Sequence, residues 1–264
     1  MRRFGGNHFP RRGTGQRPEN DPVKHSARTG DKMAVQCDQR DHRTRLDYDQ
    51  EMFDAYRNSA PYPVGPRTSH AMRADPRHLL FSLARYKFCA KMLEGRQRVL
   101  EAGCGDAFGA PIVLQTVGSL HCVDIEPQVI DQNARCNEWG DRLTFACLDL
   151  TRERPEGVFD AAFCMDVIEH VPPEREEAFL GNLTAGLTRE SVCIVGTPNI
   201  TADAYASPLS RQGHVNLKSR DSLKAALLPF FDFVFLFSMN DEVVHTGYAP
   251  MSHFLIALCA GKRA

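Results

Sequence analysis

A chain of 264 residues, 42% of them hydrophobic, can bury one sizeable core and a small appendage. Its formal net charge of -1 provides no global field that would favour nucleic acid or an anionic membrane. No run approaches the roughly 18 apolar residues of a membrane span, and the N-terminus lacks an apolar signal core.

Residues 1–45 carry eleven Lys or Arg against five Asp or Glu, with almost no apolar periodicity. Such a composition cannot offset the entropy of ordering, so this tail is expected to be disordered. A short amphipathic helix is expected over 46–56, where Leu46, Met52, Phe53 and Tyr56 partly share a face. Proline and glycine then keep Ser59 to Pro66 extended or turning. A second helix should run from Asp75 or Pro76 to Leu93 and stop at Gly95. Arg85 lies on it, read equally well as a solvated residue with a packed stem or as a ligand contact.

Strand and helix signals alternate from there. Arg98 to Ala102 reads as a buried strand, followed by the turn Gly103-Cys104-Gly105 and an apolar helix from about Phe108. Further strands are expected at 120–125, 143–148, 159–165 and 192–197, with helices at 127–140 and 173–187 between them. This order implies a parallel sheet with right-handed crossovers. The runs 233–238 and 253–259 have no helix between them and should pair antiparallel. The nine cysteines include no Cys-x-x-Cys pair and mostly sit in apolar runs, which suits a reduced cytoplasm.

The glycine turn carries most of the chemistry. Glycines between a parallel strand and a helix let the backbone approach a ligand at the sheet's carboxyl end. A dinucleotide fingerprint places its third glycine three residues after the second; here the next one, Gly109, comes one residue late. Glu101, two residues before Gly103, would repel a pyrophosphate and attract an ammonium group. The run Val99-Leu-Glu-Ala-Gly-Cys-Gly105 resembles the first motif of class I S-adenosylmethionine-dependent methyltransferases. That resemblance implies a Rossmann-like α/β fold: a seven-stranded, mostly parallel sheet with one reversed strand near its edge. It also implies an N-terminal helical cap at 46–95 ahead of a cofactor-binding domain at 96–264. Glu101, Gly103, Cys104 and Gly105 would hold the methionine part of the cofactor. Asp124, which closes the second strand 21 residues after Gly103, would take the ribose diol. It could instead cap the helix opened by Pro127. Ile125 would wall the adenine. Asp149 and Leu150 would meet its edge, with a loop acid ahead of Thr151 as the alternative for Asp149.

Cys164 to Val171 matches the Cys-Met-acid-Val-Ile-Glu-His-Val run of ubiquinone-type O-methyltransferases. In that resemblance Asp166 fronts the methyl-transfer site. Two carboxylates and an imidazole could bind a divalent cation, His170 could serve as a general base, or the group could brace the loop. Spacing alone does not favour a metal, and none is expected. Two loops should rim the substrate side: 198–216, with Tyr205, Arg211 and His214, and 239–250, with Asn240, Asp241, Glu242 and His245. His170, His214 and His245 are the base candidates. The sequence after the fourth strand lacks the Asn/Asp-Pro-Pro-aromatic run of methyltransferases acting on nucleobase or glutamine nitrogen. The expected acceptor is therefore a small molecule, a sugar, quinone or secondary metabolite methylated at oxygen, with homodimerisation left open. A non-catalytic cofactor-binding scaffold and a nicotinamide-dependent oxidoreductase are the alternatives, the latter opposed by Glu101 and the late glycine.

Overall fold

The computed structural model describes residues 39–59 and 62–264, so the tail expected to be disordered lies outside the described residues up to residue 38. The first helix, α1, spans Gln39–Asn58, so the boundary expected at 45 falls inside it. It belongs to a separate compact unit from residues 62–264. Met52, Phe53 and Tyr56, expected to share an apolar face, are each more than half exposed.

The larger unit continues with α2 (Gly65–Ala74), α3 (Arg77–Met92), β1 (Arg98–Ala102), α4 (Ala110–Leu114), β2 (Ser119–Asp124), α5 (Pro127–Arg135), β3 (Leu143–Cys147) and β4 (Phe159–Met165). It then runs through α6 (Glu176–Ala185), β5 (Leu187–Pro198), α7 (Pro208–Gly213), α8 (Arg220–Leu227), β6 (Phe231–Asn240), β7 (Val243–His245) and β8 (Phe254–Lys262). The strands form one sheet in the order β3-β2-β1-β4-β5-β8-β6-β7. β3, β2, β1, β4 and β5 are mutually parallel, and β8 is antiparallel to both of its neighbours, β5 and β6. Strand order reverses around β1, the position where open α/β sheets leave a ligand crevice at their carboxyl ends.

Alternation along the strands feeds two apolar layers. Leu100 and Ala102 join Phe179, Leu180 and Leu183 on the α6 side. Val99 and Phe163 meet Tyr86, Leu93 and Leu114 on the α3–α4 side. Glu101 points into that second layer because it shares the parity of Val99.

Three departures from the sequence reading have local causes. The sheet has eight strands, because β7 forms within the loop expected at 239–250 and pairs with the end of β6. β5 begins at Leu187, five residues before the expected strand, since its polar start (Thr188, Arg189, Glu190) hides the pattern and its register against β4 shifts between Phe159 and Ala161. α2 was not expected at all. Its sequence is a weak helix former, but Pro66 suits its first turn and the Asp106 carboxylate accepts a 2.6 Å hydrogen bond from the Thr68 amide. An anion at a helix N-terminus supplies what propensity lacks.

Phe163 is fully buried in the middle of β4 and meets the Tyr86 ring edge-on at 6.0 Å. Phe163→Ala should cost about 3–5 kcal/mol of folding stability. Denaturant unfolding checks this, and a loss under 1 kcal/mol (about one methylene's burial) would contradict the packing described.

Candidate active site

Gly103 and Gly105 adopt φ of +74° and +52°, a region that costs other L-residues energy. Gly103 is also crowded: a Cβ there would stand 2.1 Å from Val167 Cγ2. β2 grips the turn from the other side. The amides of Gly103 and Cys104 both donate to Val123 O, at 2.7 and 3.1 Å, and the Gly105 amide donates to Asp124 Oδ2 at 2.9 Å. Asn133 of α5 donates to Gly105 O at 2.7 Å.

The turn opens onto a cavity of about 620 Å³ at the carboxyl ends of β1 to β4, within the ~300–1,000 Å³ common for small-ligand sites. Of the expected cofactor residues, Gly103, Asp124, Ile125, Asp149, Leu150 and Asp166 line it, and so does His170. Asp124 is buried and also accepts from the Glu126 amide at 3.0 Å, so it braces the turn and faces the cavity at once. Ile125 offers an apolar surface 63% exposed. Asp149 Oδ1 accepts from the amide and hydroxyl of Thr151 at 2.9 and 2.7 Å, and its Oδ2 pairs with Arg152. These contacts, the Thr151 hydroxyl foremost, lower its pKa.

Glu101, Cys104 and Gly105 are not on the cavity wall. Cys104 is buried behind the turn, and Gly105 contributes its backbone. Glu101 is 2% exposed; it accepts from the Tyr86 hydroxyl at 2.7 Å and the Cys122 thiol at 3.2 Å. Strand parity turns its carboxylate toward α3, behind the turn. Burial pushes its pKa up to about 7 against the two hydrogen bonds that lower it.

Arg85 is likewise behind the wall. Its guanidinium lies 3.7 Å over the Phe254 ring and pairs with Asp166, whose φ is +57°. Arg85 is thus buried, not solvated, and the partner of its guanidinium is a cavity-lining acid. Glu169, three residues on, is fully buried. Thr197 donates to its Oε2 at 2.9 Å, while Oε1 has no hydrogen-bond partner among the described residues. Burial, with the Asp166 charge beside it, raises its pKa well above the carboxylate range.

The base candidates separate. His170 and His214 meet edge-on with ring centroids 5.1 Å apart, although they stand 44 positions apart in the sequence. Burial and the neighbouring His170 lower the pKa of His214. His245 lies in the β6–β7 hairpin with both ring nitrogens engaged: Nδ1 accepts from the Gly247 amide and Nε2 donates to Asn240 Oδ1, each at 2.9 Å. It is not on the cavity wall, because the hairpin uses it as a brace. Tyr205 is 85% exposed, and Arg211 donates to Ala206 O at 3.0 Å within its own loop.

Sequence reasoning missed Arg67 and Arg175, which line the cavity and form no ion pair with another described residue. A Cβ on Gly105 would meet Arg67 Nη1 at 3.4 Å, which puts that cation over the glycine turn. The only signal was the Gly65-Pro66 helix opening just before Arg67.

A family model described as a methyltransferase domain matches residues 99–190, from β1 into β5. No curated protein matches the chain. Among solved structures, the chain is similar to the N-methyltransferase NodS from Bradyrhizobium japonicum WM9 in complex with S-adenosyl-L-homocysteine, at 13% identity and a TM-score of 0.56, over 75% of this chain and 94% of that one. It is also similar to the methyltransferase domain of bacterial CtHen1-C, at 20% identity and a TM-score of 0.57, over 69% and 99%. The DhpI–SAM–HEP complex matches at 16% identity and a TM-score of 0.53, over 83% and 96%. At these identities the likeness is one of fold.

Glu101 yields a prediction with a definite sign. Its folded pKa of about 7 lies above the ordinary 4.5, so the folded state holds the proton more tightly. The associated stability is present below about pH 4.5 and is lost as pH rises to about 7, to the extent of about 3 kcal/mol. Glu101→Gln should therefore gain stability relative to the parent across that window. Thermal unfolding as a function of pH reads the difference; parallel curves for the two proteins would refute it.

Proposed function

We propose that this chain, a class I S-adenosylmethionine-dependent methyltransferase by its domain family and fold, methylates an oxygen of a small-molecule acceptor such as a sugar, a hydroxylated quinone or a secondary metabolite. What carries this reading is the juxtaposition of a histidine pair with the cavity that Gly103, Asp124 and Asp149 line.

The cofactor's requirements fit the residues present. The missing Cβ at Gly103 leaves the turn close to the cavity floor, and Arg67 over Gly105 suits a carboxylate. Asp124 suits a pair of hydroxyls, and exposed Ile125 with Leu148 and Leu150 suits a flat apolar ring. When bound, S-adenosylmethionine supplies a methyl carbon that leaves sulfur with the bonding pair going to sulfur, while an acceptor lone pair forms the new bond. The protein's task is to align the acceptor and remove its proton. Asp166, held by Arg85, fixes the wall where the acceptor enters, and His170 with His214 activates its hydroxyl. α2 and α3 serve as the helical cap on this side. The eight described cysteines are all free, consistent with a reducing cytoplasm.

Calorimetry should find one S-adenosylmethionine site, weakened about five- to 150-fold or abolished by Gly103→Ala through its steric and φ cost of about 1–3 kcal/mol. Transfer of labelled methyl groups to a panel of hydroxylated sugars, phenols and amines then identifies the acceptor atom. Label recovered only in amines, as the likeness to an N-methyltransferase would allow, would replace oxygen by nitrogen. Uptake of NADH in place of S-adenosylmethionine would overturn the reading.

A further inference from the structure

We propose that this chain pairs with a second copy of itself through the outer edge of β6, continuing the sheet across a two-fold axis at Val234. Homodimerisation was left open by the sequence, and the pairing does not depend on the methyl-transfer reading. It follows from an unpaired strand edge lying beside two exposed aromatic rings on the same short stretch of chain.

β6 is hydrogen-bonded to β8 along one side. On its other side β7 pairs only with Ser238, Met239 and Asn240. Phe231 to Phe237 therefore present an edge that no strand among the described residues covers. Unpaired backbone N–H and C=O groups on such an edge are a template for another strand, and proteins ordinarily protect them with lysine, proline or a bulge. Residues 233–239 read Phe-Val-Phe-Leu-Phe-Ser-Met, without charge or proline. Asp232 is the one charge beside them, and Arg263 at 3.1 Å already pairs with it. The face next to this edge is bare as well. Phe237 meets Phe88 of α3 edge-on at 5.5 Å, so the helix covers β6 down to that ring. Phe233 and Phe235 share that face by strand alternation. Their rings lie stacked with centroids 6.4 Å apart and are 59% and 52% exposed. Val234 and Leu236 pack against the core on the opposite face.

The occupant this edge suits is its own copy. Antiparallel pairing of β6 with itself is isologous, so one patch satisfies both molecules and the assembly closes at two. β7 blocks the edge from Ser238 onward. Pairing all seven free residues with the same seven of a second copy therefore sets the axis at Val234. Phe233 of each copy then stands opposite Phe235 of the other, and aromatic cross-strand pairs of this kind stabilise antiparallel strands. The two Asp232 carboxylates end four residues apart along the pair, roughly 13 Å, beyond a screening length of about 8–10 Å. A phenylalanine presents about 200 Å², so the two rings leave about 220 Å² per copy in water. That is about a quarter of the roughly 800 Å² that each side of a standard interface buries. With seven residues of strand edge added, the area supports a dimer of micromolar strength. β6 runs in the same direction as β5, so its free edge lies toward the amino-terminal end of the sheet. The cavity is at the carboxyl ends of β1 to β4, and pairing leaves it open in both copies.

Sedimentation velocity of the full chain across the micromolar range reads the assembly. The mass should rise from 29.6 kDa toward twice that value, with a Kd of roughly 1–100 µM. Phe235→Lys removes two aromatic pairs by symmetry and places a cation on each edge, so Kd should rise about tenfold or more. Val234→Cys faces its own copy across the axis, with Cβ atoms about 4.5–5.5 Å apart, and should cross-link when oxidised mildly with diamide. Leu236→Cys faces Asp232 of the other copy and should not. The unsubstituted chain, with its exposed Cys147, sets the background. The cross-link keeps the test decisive if Phe235→Lys does not fold. Several results overturn the proposal: a mass of 29.6 kDa throughout for protein that melts cooperatively, a dimer indifferent to Phe235→Lys, or growth past two copies. So does cross-linking at Val234→Cys no stronger than at Leu236→Cys.

Discussion

The tips of β1 and β4 approach so closely that no side chain fits between Gly103 and Val167. Everything at the carboxyl end of the sheet follows from that crowding. β1 must turn through left-handed backbone, and β2 must secure the turn through Val123 O and the Asp124 carboxylate. The chain leaving β4 must in turn carry Asp166 at a positive φ, held by a guanidinium that is itself sandwiched against Phe254. Bistable adjustment is hard in such close packing, so the cavity floor is rigid while its rim is built of loops. The chemistry needs that division, since alignment of two reactants depends on a fixed floor.

Charge is distributed on the same principle. Each acid on the cavity wall is already restrained: Asp124 by amides, Asp149 by Thr151 and Arg152, Asp166 by Arg85. Such restraint orients carboxylates without removing their spare lone pairs, which remain for a ligand. Glu101 and Glu169 are the exceptions, two acids sunk below the wall and raised in pKa by desolvation. One is satisfied by Tyr86 and Cys122; the other keeps an oxygen without a partner among the described residues.

The order of strands, the antiparallel end of the sheet and the glycine turn were legible in the sequence, because apolar runs of strand length and glycines at a strand's end have local causes. β4 was delimited to the residue, at 159–165, since Gly157 sets off the start of an apolar run that only Asp160 interrupts and Asp166 ends it. α2 was not legible: it depends on a carboxylate 38 residues further on. The face of β1 that Glu101 takes was not legible either, since its position in the motif leaves it open until the register with β2 and β4 is known. For the histidines, three of one residue type in three loops looked equivalent. Only the fold brings His170 against His214 and occupies His245 with Asn240 and Gly247.

β8 occupies an interior slot, hydrogen-bonded to β5 on one side and β6 on the other. Those partners have no strand to bridge them until residues 254–262 have left the ribosome. Nascent chains therefore pass through a stage with two raw sheet margins, one of them bearing the stacked and exposed Phe233 and Phe235. Sticky margins of that kind invite pairing between molecules. Without residues 254–262 the sheet stays divided between β5 and β6.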